Sequence, residues 1–234
     1  MFYPDFLRCN VAVIGLGYVG LPLAVELSKY QECKLTQKKI KRKVIAYDIN
    51  PSRIQRLNNY EDINDQINSN ELRQLNSIEY VNNKSKLNNA EVFIVTVPTP
   101  INESNIPDLS FLKEASKTVG IALKNRSKIH FENKHTIPIV IFESTVFPGA
   151  TEDICIPIIE SESKLILNCD EEFKGFVCGY SPERINPGDK ERTLVDITKV
   201  TSGSNTKCAE WVDKFYGSII KAGTYKAKSI KVAE

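Results

Sequence analysis

The chain has 234 residues, of which 41% are hydrophobic and 26% charged, and this composition is that of a globular protein able to bury a full core. Its 31 basic and 29 acidic residues leave a net charge of +2, which gives no basis for a nucleic-acid partner or a membrane surface. The six cysteines contain no C-x-x-C pair, and no apolar run reaches the roughly 18 residues of a membrane span. We therefore expect a cytoplasmic protein without a metal site, a disulfide framework or a membrane anchor.

The first predicted elements surround a glycine motif. An apolar run at residues 11–15 predicts a strand, G-x-G-x-x-G follows at Gly15, Gly17 and Gly20, and residues 19–29 have a helical pattern. In a dinucleotide site, the first glycine permits the tight turn, the second lets the backbone approach a pyrophosphate, and the third lets the helix pack on the strand. A glycine-rich turn between any strand and helix is the alternative interpretation.

The phosphates of a dinucleotide would lie on the amides of the first helical turn, which includes Tyr18 and Val19. The second predicted strand, residues 44–48, ends in Asp48. This fold places an acidic residue there to bind the ribose 2′-hydroxyl, and a carboxylate repels a 2′-phosphate, so we predict NAD rather than NADP as the cofactor. Arg53 complicates the prediction, because it can face a 2′-phosphate, the pyrophosphate or solvent.

A basic segment at residues 30–43 lies between the first helix and the second strand. It explains why Asp48 follows Gly20 by 28 positions, where the usual separation is about 20. We interpret the segment as a solvated helix extension or loop, with a phosphate or partner contact as the alternative. Its basic residues are Lys34, Lys38, Lys39, Lys41, Arg42 and Lys43.

The remaining patterns continue the alternation of strands and helices. Strands are predicted at residues 78–81, 92–97, 137–142, 176–180 and 200–203, with an ending near 222–225. Helices are predicted at 51–57, 71–75, 108–123, 150–160 and 208–216, and Asp108 or Ser110 caps the third of these. Continuous apolar strands between helices indicate a doubly wound, Rossmann-type α/β fold, with a mainly parallel sheet and helices on both faces.

Four further segments extend the pattern beyond the glycine motif. They are V-T-V-P-T-P at residues 95–100, D-L-S at 108–110, E-S-T-V-F-P-G at 143–149 and Y-S-P-E-R-I-N-P-G at 180–188. In this order, and over nearly the whole chain, the sequence resembles the N-terminal NAD-binding domain of the UDP-glucose/GDP-mannose dehydrogenase family. The form S-P-E-R-I-x-P-G most resembles the branch that oxidises UDP-N-acetylhexosamines to uronic acids for polysaccharides.

The resemblance implies a four-electron oxidation of a sugar C6 alcohol, through an aldehyde, to a carboxylate. Two NAD molecules take the hydrides in turn, and a cysteine thioester is hydrolysed. The substrate would be a UDP-N-acetylhexosamine or a related UDP-sugar. By matching motif positions, the nicotinamide end of the cofactor site would be lined by Val97, Thr99 and Pro100.

The remaining matched positions are implied to act on the substrate. Thr145 would hold the nicotinamide or the hydrolytic water, and Glu183 would be the carboxylate that supports attack by water. Arg184 and Ile185 would lie along the nucleotide sugar. A positioned base of this kind contributes about 10²–10⁴-fold to such a step.

Purely structural roles remain open for several of these side chains. Thr99, between two prolines, can fix a loop, and Thr145 can bond to the local backbone at a strand end. Glu183 can be a carboxylate that complements a helix dipole. Trp211 follows a helical core pattern and is interpreted as a core residue.

Members of the family are longer than this chain. We expect residues 1–228 to form the NAD-binding domain and residues 229–234 to begin the family's central helix, with the central and C-terminal UDP-sugar domains absent. The family's catalytic lysine and cysteine would then lie beyond Glu234, and the chain alone would be inactive. Cys178 lies in a predicted buried strand, where thiols are inert. The central helix is the family's dimerisation element, so a homodimer is expected of the full-length family rather than of this chain.

Two hypotheses from different classes follow. The chain is either the cofactor half of a nucleotide-sugar 6-dehydrogenase, as a fragment or part of a split gene, or a stand-alone, non-catalytic NAD-binding module. A different dehydrogenase, complete in itself, is a third possibility. It would need a base and a substrate pocket that the sequence does not show.

Overall fold

The computed structural model describes residues 2–101, 103–129, 136–169, 171, 174–184 and 193–234, and the side chains of 127–129 are left aside. In this part of the chain, nine strands form one sheet. The strands are β1 (Asn10–Ile14), β2 (Lys43–Tyr47), β3 (Ile78–Val81), β4 (Val92–Val95), β5 (Ile139–Phe142), β6 (Ile166–Leu167), β7 (Gly175–Tyr180), β8 (Lys199–Gly203) and β9 (Thr224–Lys226).

The strand order is β3-β2-β1-β4-β5-β7-β8-β9, and β6 pairs with β7. All described pairs are parallel except β7 with β8, which is antiparallel. The chain builds outward from β1 to β3, then returns to place β4 on the other side of β1. Ligands of open parallel sheets bind at this reversal of strand order, outside the carboxyl ends of the strands. The predicted doubly wound fold is confirmed.

Seven α-helices cover the sheet in the described residues. They are α1 (Gly20–Ser28), α2 (Pro51–Asn58), α3 (Ser69–Arg73), α4 (Ser110–Ile129), α5 (Ile156–Ser163), α6 (Thr206–Gly217) and α7 (Ile230–Ala233). None of the helices that the structure describes is both long and apolar enough to cross a bilayer.

The helices form two layers because successive strand residues point to opposite faces. In β1, Val11 and Val13 join the core beneath α1, α2, α3 and α6, whereas Ala12 and Ile14 join the core beneath α4, α5 and α7. Trp211 of α6 is buried, stacks on Phe215 at 5.0 Å between ring centroids, and donates its indole N–H to the Pro4 carbonyl. The core interpretation of Trp211 is confirmed.

Several element boundaries differ from the predictions. The strand predicted to reach residue 97 ends at Val95, because Thr96 turns to bond with the adjacent glycine loop. The helix predicted at 108–123 begins at Ser110, with the Asp108 carboxylate accepting its N–H, and continues to Ile129. The helix predicted at 150–160 opens with a wider π-helical turn at Thr151–Cys155, just before Pro157, whose ring removes a backbone donor.

The basic segment before β2 is not uniformly solvated. Its five lysines are exposed, but Arg42 is 2% exposed and lies 4.2 Å from the Phe215 ring centroid. The Arg42 guanidinium donates to the Phe6 carbonyl and to Ser218 Oγ. The prediction of a solvated segment is therefore wrong for Arg42, which ties the segment to the C-terminal end of α6.

Candidate functional site

The glycine loop between β1 and α1 has the three geometries that its motif predicts. Gly15 has φ of +97°, which a residue with a side chain rarely adopts. A Cβ on Gly20 would lie 1.8 Å from the Gly15 carbonyl oxygen, so α1 is packed directly on the turn. A Cβ on Gly17 would meet no atom within 4 Å, so the backbone at Gly17 borders open space.

The backbone N–H and carbonyl of Leu16 are both hydrogen-bonded by side chains that follow β2. The Leu16 N–H donates to Asp48 Oδ2 at 2.8 Å, and its carbonyl accepts from Arg53 Nε at 3.0 Å. Asp48 Oδ1 accepts the Asn50 N–H at 2.9 Å. The Asp48 carboxylate therefore lies against the glycine loop, at the end of the second strand where the sequence places it.

The loop leaves donors for an anionic ligand. Among the described residues, none accepts a hydrogen bond from the amides of Tyr18 and Val19, and no side chain caps α1. Tyr18 is 49% exposed, so its side chain does not fill the space beside Gly17. Open backbone, uncapped amides and a carboxylate at the end of the second strand are the features that a dinucleotide requires, and these residues fit one.

Arg53 is buried rather than solvated, at 6% exposure, so the interpretation that it faces solvent is wrong. Its Nη1 lies 2.7 Å from Asp62 Oδ1, whose side chain is fully buried. Together with the bond to Leu16, this pair fixes the guanidinium beneath the glycine loop. A contact between Arg53 and the cofactor stays a prediction.

The loops after β4 and β5 are joined by two hydrogen bonds. The Thr99 hydroxyl donates to the Thr145 carbonyl at 2.6 Å, and the Ser144 hydroxyl donates to the Val97 carbonyl at 2.6 Å. Three of the predicted residues are thus brought together at the carboxyl edge of the sheet. Pro100 follows on the same loop, is exposed, and accepts the Asp108 N–H on its carbonyl.

A buried ionic cluster lies behind these loops. Lys199 Nζ is 2.7 Å from Glu143 Oε2 and 3.0 Å from Glu183 Oε2, and all three side chains are at most 8% exposed. The Tyr216 hydroxyl donates to the other Glu143 oxygen, and Lys199 lies over the Tyr216 ring. Lys199 therefore links the predicted catalytic carboxylate to the loop that carries Thr145.

Burial and charge act in opposite directions within this cluster. Burial alone lowers the pKa of Lys199, but Glu143 and Glu183 outweigh it and raise that pKa above its usual value. Burial raises the pKa of Glu143, against the lowering effect of Lys199. Burial also raises the pKa of Tyr216 well above its usual value. The cluster therefore keeps its hydroxyl protonated and its lysine charged.

The segment that carries Glu183 is described only in part. Glu183 Oε1 accepts the N–H of Arg184 at 2.6 Å, and Arg184 is exposed. Ile185, predicted to lie along the nucleotide sugar, is outside the described residues. Contacts of these residues with a sugar stay predictions.

Sequence reasoning gave no role to several residues that shape the site. Thr96 donates to the Gly15 carbonyl at 2.7 Å, and Glu234 accepts the amides of Gly149 and Thr151 at 2.5 and 2.8 Å. Lys199 opens a strand in which two of the other four residues are buried, and a lysine in that setting is a usable signal. Asp62 lies in an Asn-rich stretch that reads as polar loop, and nothing local distinguishes it.

Comparison with known proteins agrees with this geometry. Residues 9–220 match the model of the NAD binding domain of the UDP-glucose/GDP-mannose dehydrogenase family. The chain belongs to this family. The resemblance drawn from the five ordered motifs is confirmed, and so is NAD as the cofactor of the domain.

Curated relatives within the family include the UDP-N-acetyl-D-glucosamine 6-dehydrogenase of Pseudomonas aeruginosa, which is 48% identical over 96% of this chain and 47% of its own length. Protein CapL of Staphylococcus aureus is 45% identical over 96% of the chain and 46% of its own length. The chain spans about half the length of the curated relatives it matches.

A solved structure has the same fold. The UDP-D-ManNAc dehydrogenase of Pyrococcus horikoshii superposes with a TM-score of 0.74 at 27% identity, covering 96% of this chain and 48% of that one. The GDP-mannose dehydrogenase of Pseudomonas aeruginosa superposes with a TM-score of 0.73 at 21% identity, which is a likeness of fold alone.

Proposed function

We propose that this chain is the NAD-binding part of a cytoplasmic nucleotide-sugar 6-dehydrogenase, which oxidises the C6 alcohol of a UDP-N-acetylhexosamine to the uronic acid for polysaccharide biosynthesis. The observation that carries the proposal is the glycine loop, where open backbone at Gly17 adjoins the Asp48 carboxylate. The 48% identity to a UDP-N-acetyl-D-glucosamine 6-dehydrogenase supports the substrate class. The full-length enzyme is proposed to be a homodimer.

At the adenosine end, the amides of Tyr18 and Val19 bind the pyrophosphate and Asp48 binds the ribose diol. Gly15 and Gly20 keep the turn compact, so that Gly17 can approach the phosphates without a side chain between. A carboxylate at the ribose repels an added phosphate, which favours NAD over NADP.

At the reacting end, NAD supplies the acceptor for the hydride that leaves the sugar C6. Val97, Thr99 and Pro100 lie along the nicotinamide, and Thr145 holds the nicotinamide or a water molecule. The two hydrogen bonds that join their loops support this arrangement. Glu183, which Lys199 holds by an ion pair, accepts a proton from the water that attacks the carbonyl of the cysteine thioester. Arg184 and Ile185 orient the UDP-sugar.

Calorimetric titration of the chain with NAD tests the cofactor site. We expect saturable binding, and a loss of about 10–100-fold in affinity for Asp48→Ala, because hydrogen bonds to a charged group contribute about 1.5–3 kcal/mol. Gly17→Val should weaken binding at least as much, since its side chain enters the space beside the amides. Glu114→Ala removes an exposed carboxylate on α4 and should change nothing. Folded protein that shows no heat with NAD would contradict the proposal.

The chain by itself should produce no steady NADH from UDP-N-acetylglucosamine and NAD. The family chemistry needs a cysteine thiolate, and burial raises the pKa of Cys9, Cys155 and Cys208 to about 12. Burial also raises the pKa of Cys178 well above its usual value. A continuous rise in NADH absorbance from purified chain would show that one of its own groups completes the reaction.

A further inference from the structure

The glycine loop is bonded to the guanidinium of Arg53, which in turn is paired with Asp62. Arg53 Nε donates to the Leu16 carbonyl at 3.0 Å, while Nη1 lies 2.7 Å from Asp62 Oδ1. The Leu16 peptide is thereby fixed on one side by Arg53 and on the other by Asp48, at 2.8 Å. Arg53 lies only five positions beyond Asp48, next to the predicted ribose site.

Asp62 is held more firmly than an ordinary surface carboxylate. Its side chain is fully buried, and besides Arg53 it accepts the backbone N–H groups of Asn64 at 3.1 Å, Gln66 at 2.8 Å and Ile67 at 3.1 Å. A carboxylate that accepts three amide hydrogen bonds and pairs with a guanidinium is held in one orientation. The loop that follows α2 is folded around this one group.

Arg53 nevertheless retains unused donors. Its Nη1 and Nη2 are both buried without a hydrogen-bond partner among the residues that the structure describes, and Nη1 approaches Asp62 as an ion pair. An arginine close to the adenosine ribose is the residue that accommodates a 2′-phosphate in NADP-binding proteins. A guanidinium with a spare donor would gain a charge-assisted, bidentate bond by turning toward such a phosphate.

We propose that Asp62 is a specificity-determining residue, which holds Arg53 beneath the glycine loop and so withholds it from the 2′-phosphate of NADP. The inference rests on the proposed NAD site and adds a second element of selectivity to the repulsion by Asp48. Asp48 disfavours the phosphate directly, whereas Asp62 acts through the position of Arg53.

The test is the ratio of the dissociation constants for NADP and NAD, measured by calorimetry on the chain as it stands. Asp62→Asn keeps the shape of the side chain but removes its charge, and it should lower the ratio at least fivefold by freeing Arg53. Asp62→Glu retains the charge and should restore most of the ratio. Glu61→Gln removes an exposed carboxylate one position away and should leave the ratio unchanged.

A merely structural role for Asp62 gives a different result. If Asp62→Asn only loosens the loop, both affinities fall together and the ratio stays constant, and the inference is then wrong. Arg53→Gln gives an independent reading should Asp62→Asn fail to fold. Because the proposal keeps Arg53 from the 2′-phosphate in the native chain, its removal should weaken NAD and NADP by the same factor. A loss confined to NADP would overturn the inference.

The two proposals fail in distinguishable ways. Folded wild-type chain that binds neither dinucleotide would contradict the proposed function, and the inference with it. Wild-type chain that binds NAD, with a ratio unaffected by Asp62→Asn, would contradict the inference alone. Circular dichroism of each variant establishes that the fold is retained.

Discussion

Gly17 and Gly20 belong to one motif, but their surroundings in the folded chain differ. Gly20 is needed because the α1 backbone lies directly on the turn, and a Cβ there would overlap the Gly15 carbonyl and lie 2.4 Å from Thr96 Oγ1. Gly17 faces open space, so the folded chain itself places no demand on its side chain. Under the proposed function the requirement at Gly17 comes from the cofactor, whereas the requirement at Gly20 comes from the fold.

This difference predicts that alanine lowers the stability of the fold at Gly20 but not at Gly17. Gly20→Ala should lower the free energy of unfolding by about 2–3 kcal/mol, because overpacking outweighs the gain of up to about 1 kcal/mol in helix propensity. The matched Gly17→Ala should change it by less than about 0.5 kcal/mol. Urea denaturation of the two variants measures both values. Equal stability of the two proteins would disprove the division of roles.

At the level of single residues, the sequence is informative only where a pattern is local. Asp48 is predictable because it ends a buried strand, and the glycines because their spacing is fixed by the turn. Arg53 and Asp62 are nine positions apart, and their pairing depends on how the loop after α2 folds back. No periodicity reveals a contact of that kind.

Among the elements, the junction of β5, β8 and α6 depends on one lysine. Lys199 begins β8, and its ammonium group lies between Glu143, which follows β5, and Glu183, which follows β7. Tyr216 of α6 completes the contacts. A charge that is taken out of water in this way is tolerated only while its partners remain.

Lys199→Met should lower the free energy of unfolding by about 3–5 kcal/mol at neutral pH, because it leaves Glu143 buried without its partner. Lys117→Met breaks an exposed pair with Glu114 and should cost far less than Lys199→Met, because solvent screens that pair. Urea denaturation at several pH values measures both effects.

The loss in free energy of unfolding caused by Lys199→Met should also depend on pH, and it should be smaller in acid. Burial raises the pKa of Glu143. A carboxyl whose pKa is raised in the folded state stabilises the fold at pH values below its unfolded-state pKa, and it loses that contribution as pH rises through its folded-state pKa. Removing Lys199 removes an influence that lowers this pKa. The deficit of the variant should therefore shrink at pH 5 relative to pH 7, and a deficit independent of pH would contradict a buried, unpaired carboxylate.

The existence and order of the elements could be predicted, but several of their ends could not. The run at residues 78–81 coincides with β3, and the pattern at 200–203 misses only the first residue of β8. The end of β4 is set by the tertiary hydrogen bond from Thr96 to the glycine loop, and the π-helical turn before α5 accompanies Pro157.

Considered as a whole, the molecule buries groups that can lose a proton only at high pH. Burial raises the pKa of Cys9, Cys155 and Cys208 from 9.0 to about 12, and that of Cys178 well above 9.0. In the unfolded chain these thiols ionise near pH 9, while in the folded chain they stay protonated. Between those values the folded state binds more protons than the unfolded state.

The chain should therefore lose stability steeply above about pH 9. Each buried thiol contributes a fall of about 1.4 kcal/mol per pH unit well above its unfolded pKa. Cys208→Ala should reduce the slope by that amount, because it removes one of these buried thiols. Urea denaturation under reducing conditions between pH 8 and 10.5 measures the slope. A stability that is constant over this range would contradict the thiol assignment.

The doubly wound architecture is predictable from the sequence because β1, β4 and β5 are almost entirely continuous apolar runs between helical patterns. The antiparallel pairing of β8 with β7 is not predictable, because nothing in the local pattern of β8 indicates the direction of the strand. The ionic cluster of Glu143, Glu183 and Lys199 depends on that pairing, so it could not be foreseen from the motifs that contain its members.

The hydrogen bonds from Thr99 to Thr145 and from Ser144 to Val97 join the loops after β4 and β5 into one unit. A force applied to either loop is transmitted to the other, so a molecule that presses on one side reshapes both. Ligands that occupy the two ends of the crevice would then sense one another mechanically, without touching.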